Sequence, residues 1–500
     1  MNSSFVLFVD SQLNLSMMNN NLAIQTNSSE QENNTLRVAY KKTTLAENVV
    51  SEPEITTPET VNPVSRKRGS KKNTEKYYRQ LVPVKIYNKL PVLEEAIKPH
   101  IKGYKTVHLL QIVSIVAWHI RKDEGFARLH LKYLKDQVKQ ADKYLKELIS
   151  NKIIIRTGHP IKGVKCYEYS FAPEWQSKCV AIPLNDMYLI WRLEQLQIVI
   201  EKEQSRSIRG HSRQKEFLKQ ITIDAEFDKF MESNWTGNEN QYNNIKASAT
   251  RIINRDYFCK RDDTSKRFHS NITNMSRDLR SFLRVNGKPL VNIDIKNSQP
   301  YLSSIILTDP KRVACFAKDE ELKKLLMTIK IPKSPNIALY IELVTSGTIY
   351  EYLVDEFLKE GLELTRDDTK KQVLRTLYAR NRKPENEVNR QAREIFIDRF
   401  PGVDKVFSQI RGHGKGEKFT TYKRFAILLQ RIESYLVLDV IMKRVYKELP
   451  GDFAMTIHDS ILTVNDREVV DSIFKIMEEE LEKFVGYPPR LKKEGFFEEI

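Results

Sequence analysis

Two stretches of this chain present an aspartate at the end of an apolar run. Residues 289–306, PLVNIDIKNSQPYLSSII, read as a short buried strand over 290–295 that delivers Asp294 at its end. A polar turn and a helix from near Ser298 follow. Residues 454–464, AMTIHDSILTV, place two apolar runs around His458, Asp459 and Ser460, the pattern of a tight hairpin with an acid at its tip. Two carboxylates on adjacent strands, aimed at one point, suit a pair of divalent metals acting on phosphate oxygens. A third stretch, 365–381, TRDDTKKQVLRTLYARN, repeats Arg366, Lys370, Leu374 and Tyr378 every fourth residue. That spacing lays two cations, an aliphatic and an aromatic along one helical face, with phosphate contacts at one end and base stacking at the other. The same spacing also describes an ordinary solvated helix with a core stripe.

The elements that must carry these residues are partly readable. Residues 282–285, then Asn286-Gly287, then 290–295 form a hairpin signature, because Asn-Gly fills the positive-φ positions of a two-residue turn. Its second strand carries Asp294. Residues 187–254 read as helical and charged, with apolar residues at Leu189, Leu193, Leu196, Val199 and Ile200. Further upstream, 107–121 reads as an apolar helix, 128–134 as a shorter one and 140–151 as a third. Two β-rich runs follow at 153–156 and 165–171. Three helices and a hairpin make a winged-helix pattern, in which the third helix enters a DNA groove. Lys139, Lys143 and Lys146 fall on that helix's exposed side and Lys162 and Lys165 on the wing, a set suited to phosphate rather than base contact. A protein-docking module is the competing use of the same elements.

Composition sets the outer limits. The chain has 500 residues and a formal net charge of +17, which points to a polyanionic partner, most simply nucleic acid. The four cysteines, 166, 179, 259 and 315, have no CxxC spacing, so neither a zinc site nor a disulfide framework is expected, and a reducing compartment fits. No apolar run approaches the ~20 residues of a membrane span. The apolar run at 5–9 lacks the basic flank of a signal peptide, so a cytoplasmic protein is expected. Residues 1–64 read as disordered, with Met17 or Met18 as alternative starts, and 65–79 as a basic arm or linker.

Taken together, the three chemistry-bearing stretches resemble motifs A, B and C of the family A polymerase superfamily, which includes bacterial DNA polymerase I and the phage-type single-subunit RNA polymerases. Motif A is similar at IDIKNSQPYL, motif B at Arg366, Lys370 and Tyr378, and motif C at IHDS, in the family's order. The connecting segments 267–274 (RFHSNITN) and 394–403 (EIFIDRFPGV) are similar too, and Gln430 sits where these enzymes carry a glutamine on a helix before motif C. The likeness covers roughly residues 260–500 and is patchy over the thumb.

The resemblance implies an α+β right-hand polymerase, with an antiparallel palm sheet and helical fingers and thumb, preceded by a winged-helix domain. The expected organisation is a disordered segment at 1–64, a basic linker at 65–103, the winged helix at 104–180, a thumb-like region at 181–265 and palm and fingers at 266–500. It further implies that Asp294 and Asp459, helped by the carbonyl of Ile295, hold two Mg2+ ions, with Mn2+ as a substitute. His458 would position the primer terminus. Arg366 and Lys370 would hold the triphosphate, with Lys370 a candidate acid for the leaving pyrophosphate. Leu374 and Tyr378 would face the nucleotide, with Tyr378 stacking near the nascent pair. Arg267, Asn274 and Gln430 would contact the primer–template.

Three departures bear on sugar preference. Gln299 stands where the DNA polymerases carry a glutamate that helps exclude a 2′-hydroxyl. Ser460 follows Asp459, as in the RNA polymerases, and Ala379 replaces a glycine after Tyr378. The expected activity is a DNA-directed DNA polymerase without proofreading, acting on primer–template DNA and nucleoside triphosphates, in the service of a mobile element. A single-subunit RNA polymerase or primase is the nearer alternative. The alternative of another class is a non-catalytic DNA-binding replication protein on a polymerase-like scaffold.

Overall fold

A computed structural model describes residues 78–120, 124–158, 160, 166–381, 386–412 and 421–495. The segment expected to be disordered, most of the basic run, and Lys162 and Lys165 lie outside the described residues. The chain divides into two compact units, one of Met1–Leu196 with Ala225–Asn254, the other of Gln197–Asp224 with Arg255–Ile500. The fold is mixed, with antiparallel sheets and many helices. Among the described residues no helix is long and apolar enough to cross a membrane.

In the first unit, β1 (Arg79–Pro83) pairs antiparallel with β5 (Cys179–Pro183). A second sheet has the order β2 (Ala127–Leu129), β4 (Tyr167–Phe171), β3 (Ile154–Thr157). The helix Thr106–His119 is buried without a break from Leu109 to Ala117, which explains why its sequence is apolar on every side. Its two interior polar groups are satisfied. Gln111 accepts from Gln80 at 3.0 Å and donates to Gln137 at 2.9 Å, and Ser114 accepts from the Leu81 amide at 2.8 Å.

One expected helix is corrected here. Residues 128–134 are not continuously helical, because Ala127–Leu129 is a strand and the helix runs Leu131–Gln137. Ala127 and Leu129 point inward with period two and pair with Tyr169 and Tyr167. Sheet pairing outweighs the local helical tendency. Lys143 and Lys146 are exposed on the helix Ala141–Ser150, opposite buried Tyr144, Leu145 and Leu148. Lys139 is exposed in the turn before that helix, not on it, with its ammonium 5.8 Å from the Tyr188 ring centre.

The second unit is organised on a six-stranded sheet in the order β11 (Ala454–Ile457), β12 (Ser460–Val464), β10 (Lys288–Ile295), β9 (Leu283–Val285), β6 (Ile221–Ile223), with β13 (Leu491–Gly495) also on β10. β6 interrupts a region whose sequence reads as helical, and three residues are too few to register a period. A separate small ribbon joins β7 (Cys259–Arg261) to β8 (Phe268–Ser270). β10 is central, with β12 along one side and β13 along the other, so Leu290 through Ile293 are all buried. That explains its continuous apolar reading.

The Asn286-Gly287 turn has the expected geometry, with φ of 50° and 75°. The helix Ser298–Thr308 follows β10 after Asn297, which adopts the left-handed conformation and donates its side-chain amide to the Val344 carbonyl at 2.8 Å. Tyr301, Leu302, Ile305 and Ile306 of this helix lie in the larger apolar core. Its buried hydroxyls bond locally, Ser303 to Pro300 and Tyr340, Ser304 to Tyr301.

Candidate active site

The sheet register brings the two acids together. Asp294, near the end of β10, lies opposite Ser460, the first residue of β12. Asp459 is the residue before it, in a two-residue turn closed by the Ile457–Ser460 pair. His458, the other turn residue, has φ of 58°, a left-handed conformation uncommon outside glycine, in which Asn, Asp and His are the most frequent exceptions. Ile295, the last residue of β10, is buried opposite Leu491.

The local electrostatics follow from this crowding. Burial, then the neighbouring Asp459 charge, pushes the Asp294 carboxyl up to about 7, against the opposing pull of Lys370. Burial raises Asp459 as well, with Arg267 the largest opposing influence and Lys370 a further one. Two like charges held close in a poorly solvated place disfavour joint ionisation. His458 is pushed down to about 3, chiefly by burial and then by Arg267 and His269, so it is neutral at neutral pH. Its ring meets that of buried His269 edge-on, with centroids 5.8 Å apart, and His269 Nε2 lies 3.2 Å from Asp262.

Beside the acids runs a continuous polar chain. The Tyr378 hydroxyl donates to Gln299 Oε1 at 2.8 Å, and Gln299 Nε2 donates to Glu433. Glu433 Oε1 in turn accepts from Arg267 Nε at 2.8 Å and pairs with its Nη2 at 2.7 Å. Glu433 is 1% exposed, and burial raises its carboxyl to about 7 despite Arg267. Sequence reasoning passed over Glu433. The available signal was an acid at helical spacing from Leu429, Leu436 and Val437, on the apolar side of LLQRIESYLVL, where a buried carboxylate demands a partner.

The helix Arg366–Tyr378 begins at Thr365, whose hydroxyl accepts from the Asp368 amide at 3.1 Å, and ends before Ala379, which is extended. Its core face is Thr369, Gln372, Val373, Thr376 and Leu377. The residues singled out by their fourfold spacing therefore occupy another face, with Arg366 and Lys370 exposed and Leu374 and Tyr378 half-buried. Arg366 is engaged by Glu351 at 2.6 Å and lies over the Tyr350 ring. Asn274 is exposed, and Gln430 is half-buried on the helix Lys423–Ser434, one turn before Glu433.

Among the described residues no group of three or more His, Cys, Asp or Glu side chains forms a ready metal cage. Two mutually repelling carboxylates are nevertheless a hard-oxygen donor set that a divalent cation would relieve. Mg2+ commonly takes only one or two carboxylates and fills its remaining positions with water and phosphate oxygens.

No protein-family model matches this chain, and no curated protein matches its sequence. Among solved structures, it is similar to the POL domain of Pol1 from M. smegmatis in complex with DNA primer-template and dNTP, at 11% identity and a TM-score of 0.27. The match covers 61% of this chain and 65% of that one.

Proposed function

We propose that this chain is a template-directed nucleotidyltransferase, a DNA-directed DNA polymerase without proofreading, of the family A type. The observation that carries the reading is the convergence of Asp294 and Asp459 on paired strands, with Lys370 acting electrostatically on both. A purely structural sheet gains nothing from two crowded, half-buried acids.

On this reading the sheet is the palm, with helical fingers and thumb around it. Asp294, Asp459 and the Ile295 carbonyl would hold two Mg2+ ions. The chemistry that such ions supply is charge stabilisation on the attacking and leaving oxygens of an in-line transfer. The chain's own groups do the rest. Lys370 and Arg366 hold the triphosphate, and Lys370 donates a proton as the bond from the α-phosphorus to pyrophosphate breaks. The new bond joins the primer 3′-oxygen to that phosphorus, and the hydroxyl proton leaves to solvent. Neutral His458 can accept or donate one hydrogen bond at the primer end without adding charge. Tyr378 presents its ring to the nucleotide while Gln299 holds its hydroxyl.

The order helix, strand, helix, helix, hairpin over Thr106–Phe171 supports a winged helix in the first unit, with Lys143 and Lys146 as phosphate contacts. The deciding experiment is primer extension on a primed DNA template with Mg2+, supplying deoxy- and ribonucleotides separately, beside Asp294→Ala. Extension with deoxynucleotides that the substitution abolishes is the expected result. Preference for ribonucleotides would move the assignment to an RNA polymerase or primase. Duplex binding without any extension would leave a non-catalytic scaffold.

A further inference from the structure

Glu433 reaches the site from an element none of the three motif stretches contains. Its helix, Lys423–Ser434, is fastened to the turn ahead of β8 by its last residues. Arg431 Nε donates to the Thr264 carbonyl at 2.7 Å, the Ser434 hydroxyl donates to the Lys266 carbonyl, and Glu433 takes the Arg267 guanidinium between them. The winding then widens to a π-helix over Tyr435–Ile441, a local feature that often accompanies functional positions.

The consequence lies in hydrogen-bond polarity. An ionised carboxylate only accepts, whereas a primary amide donates at nitrogen and accepts at oxygen. With Glu433 paired to the Arg267 guanidinium, which favours its ionised, accepting form, Gln299 turns its nitrogen towards it and its oxygen towards Tyr378. The Tyr378 hydroxyl is then obliged to donate, as observed. One buried carboxylate thus fixes an amide, a hydroxyl and a guanidinium, each contributed by a different segment.

We propose that Glu433 is a positioning residue of the nucleotide site: by accepting from both Arg267 and Gln299 it sets the orientation of the Gln299 amide and, through it, the placement of Tyr378 for nucleoside triphosphate binding. The proposal rests on the nucleotide-binding part of the function proposed above. In Glu433→Gln, Arg267 claims the new amide oxygen and leaves an NH2 group facing Gln299. Gln299 must then flip, and the Tyr378 hydroxyl is asked to accept instead of donate. In Gln299→Glu, a half-buried carboxylate faces the buried one of Glu433. The double exchange Q299E/E433Q restores every donor–acceptor match, though not the direct ion pair with Arg267, because the carboxylate now at position 299 accepts both from Tyr378 and from the amide now at position 433, whose oxygen still accepts from Arg267.

The test is the affinity for deoxyadenosine triphosphate with Mg2+, measured by calorimetry on the wild type, both single variants and the double exchange. Thermal melting of each serves as the check on folding, and primer extension is run in parallel. Each single variant is expected to bind roughly tenfold or more weakly, with KM raised and kcat within about threefold, and the double exchange to return to within about threefold of wild type. Wild-type affinity in Glu433→Gln, or a double exchange no better than the worse single variant although both melt like wild type, overturns the proposal. A wild type that binds the nucleotide but does not extend a primer removes the polymerase reading alone. A wild type that binds no nucleotide removes both.

Discussion

Two hairpins in one sheet close with two-residue turns, and they are built on opposite logic. Asn286-Gly287 joins β9 to β10 with both residues at positive φ, both exposed, and both of types that tolerate that conformation. His458-Asp459 joins β11 to β12 with a histidine at φ 58° and an acid beside it, both half-buried. A non-glycine residue in this region costs ~1–2 kcal/mol. The first turn therefore serves folding, and the second gives up stability to hold an imidazole and a carboxylate against Asp294. Charge repulsion is confined to one end of the sheet, and that is the end at which we propose the chemistry lies.

The largest effect that would break this comparison is on the acids. Asp459→Ala or Asp294→Ala should lower primer extension by roughly a thousandfold or more, since on the proposed function each removes half of the charge that would hold the metals. A loss of less than tenfold in either, measured under single-turnover conditions, would return the second hairpin to a structural role. Asp294→Asn should do the same to activity while raising the metal-free protein's stability at pH 8 by about 1–3 kcal/mol in urea unfolding, because it deletes a charge that burial and Asp459 disfavour.

The pH dependence follows from the same shift. The folded pKa of Asp294 is raised to about 7, so the native state holds its proton over a range where the unfolded chain has lost it. Its contribution is fully present below the ordinary carboxylate range, near 4, and is lost as pH rises through about 7. Metal-free wild type should therefore lose stability across that window, with less loss in Asp294→Asn. Added Mg2+ should oppose the decline by binding the ionised pair. Parallel pH profiles for the two proteins would show that the acids do not interact as described.

How much of this was legible beforehand divides along physical lines. Both hairpins, the helix after Asp294 and the helix carrying Lys370 are local signals, written in turn residues and apolar periods within a dozen positions. The Asn286-Gly287 turn, for instance, needed no tertiary information. Glu433 and β6 were not legible, because each acquires its role from partners distant in sequence: Glu433 from Gln299, 134 residues away, and β6 from a pairing with β9. The period places Lys139 on a helix, but it stands in the turn before one, since helix starts depend on capping geometry that spacing does not report.

An intermediate effect is expected from exchanging the turns' conformational character. Gly287→Ala forces a Cβ into φ of 75°, where open space surrounds it, so the cost is the backbone's own, ~1 kcal/mol, with no change in extension. His458→Gly should act the other way, recovering up to ~1 kcal/mol while lowering activity at least tenfold. Stabilities from urea unfolding and rates from extension place each variant on both axes. If His458→Gly lost stability and kept its activity, the histidine would be a packing residue and the contrast between the turns would collapse.

The smallest effect sharpens the comparison most. Asn286→Gly keeps the positive φ accessible, removes a side chain that is exposed, and leaves Gly287 in place. Two opposing contributions act on it. Glycine relieves the residual cost of asparagine at φ of 50°, but it adds conformational entropy to the unfolded chain. The two should nearly cancel, giving a change within ~0.5 kcal/mol and no change in extension rate. A turn whose residue types already suit its conformation has little left to gain, whereas His458 occupies the equivalent place in its hairpin with an imidazole that burial and neighbouring charge keep neutral. Were Asn286→Gly to stabilise the protein as much as His458→Gly, both turns would be equally strained, and strain could no longer be used to tell the functional end of the sheet from the structural one.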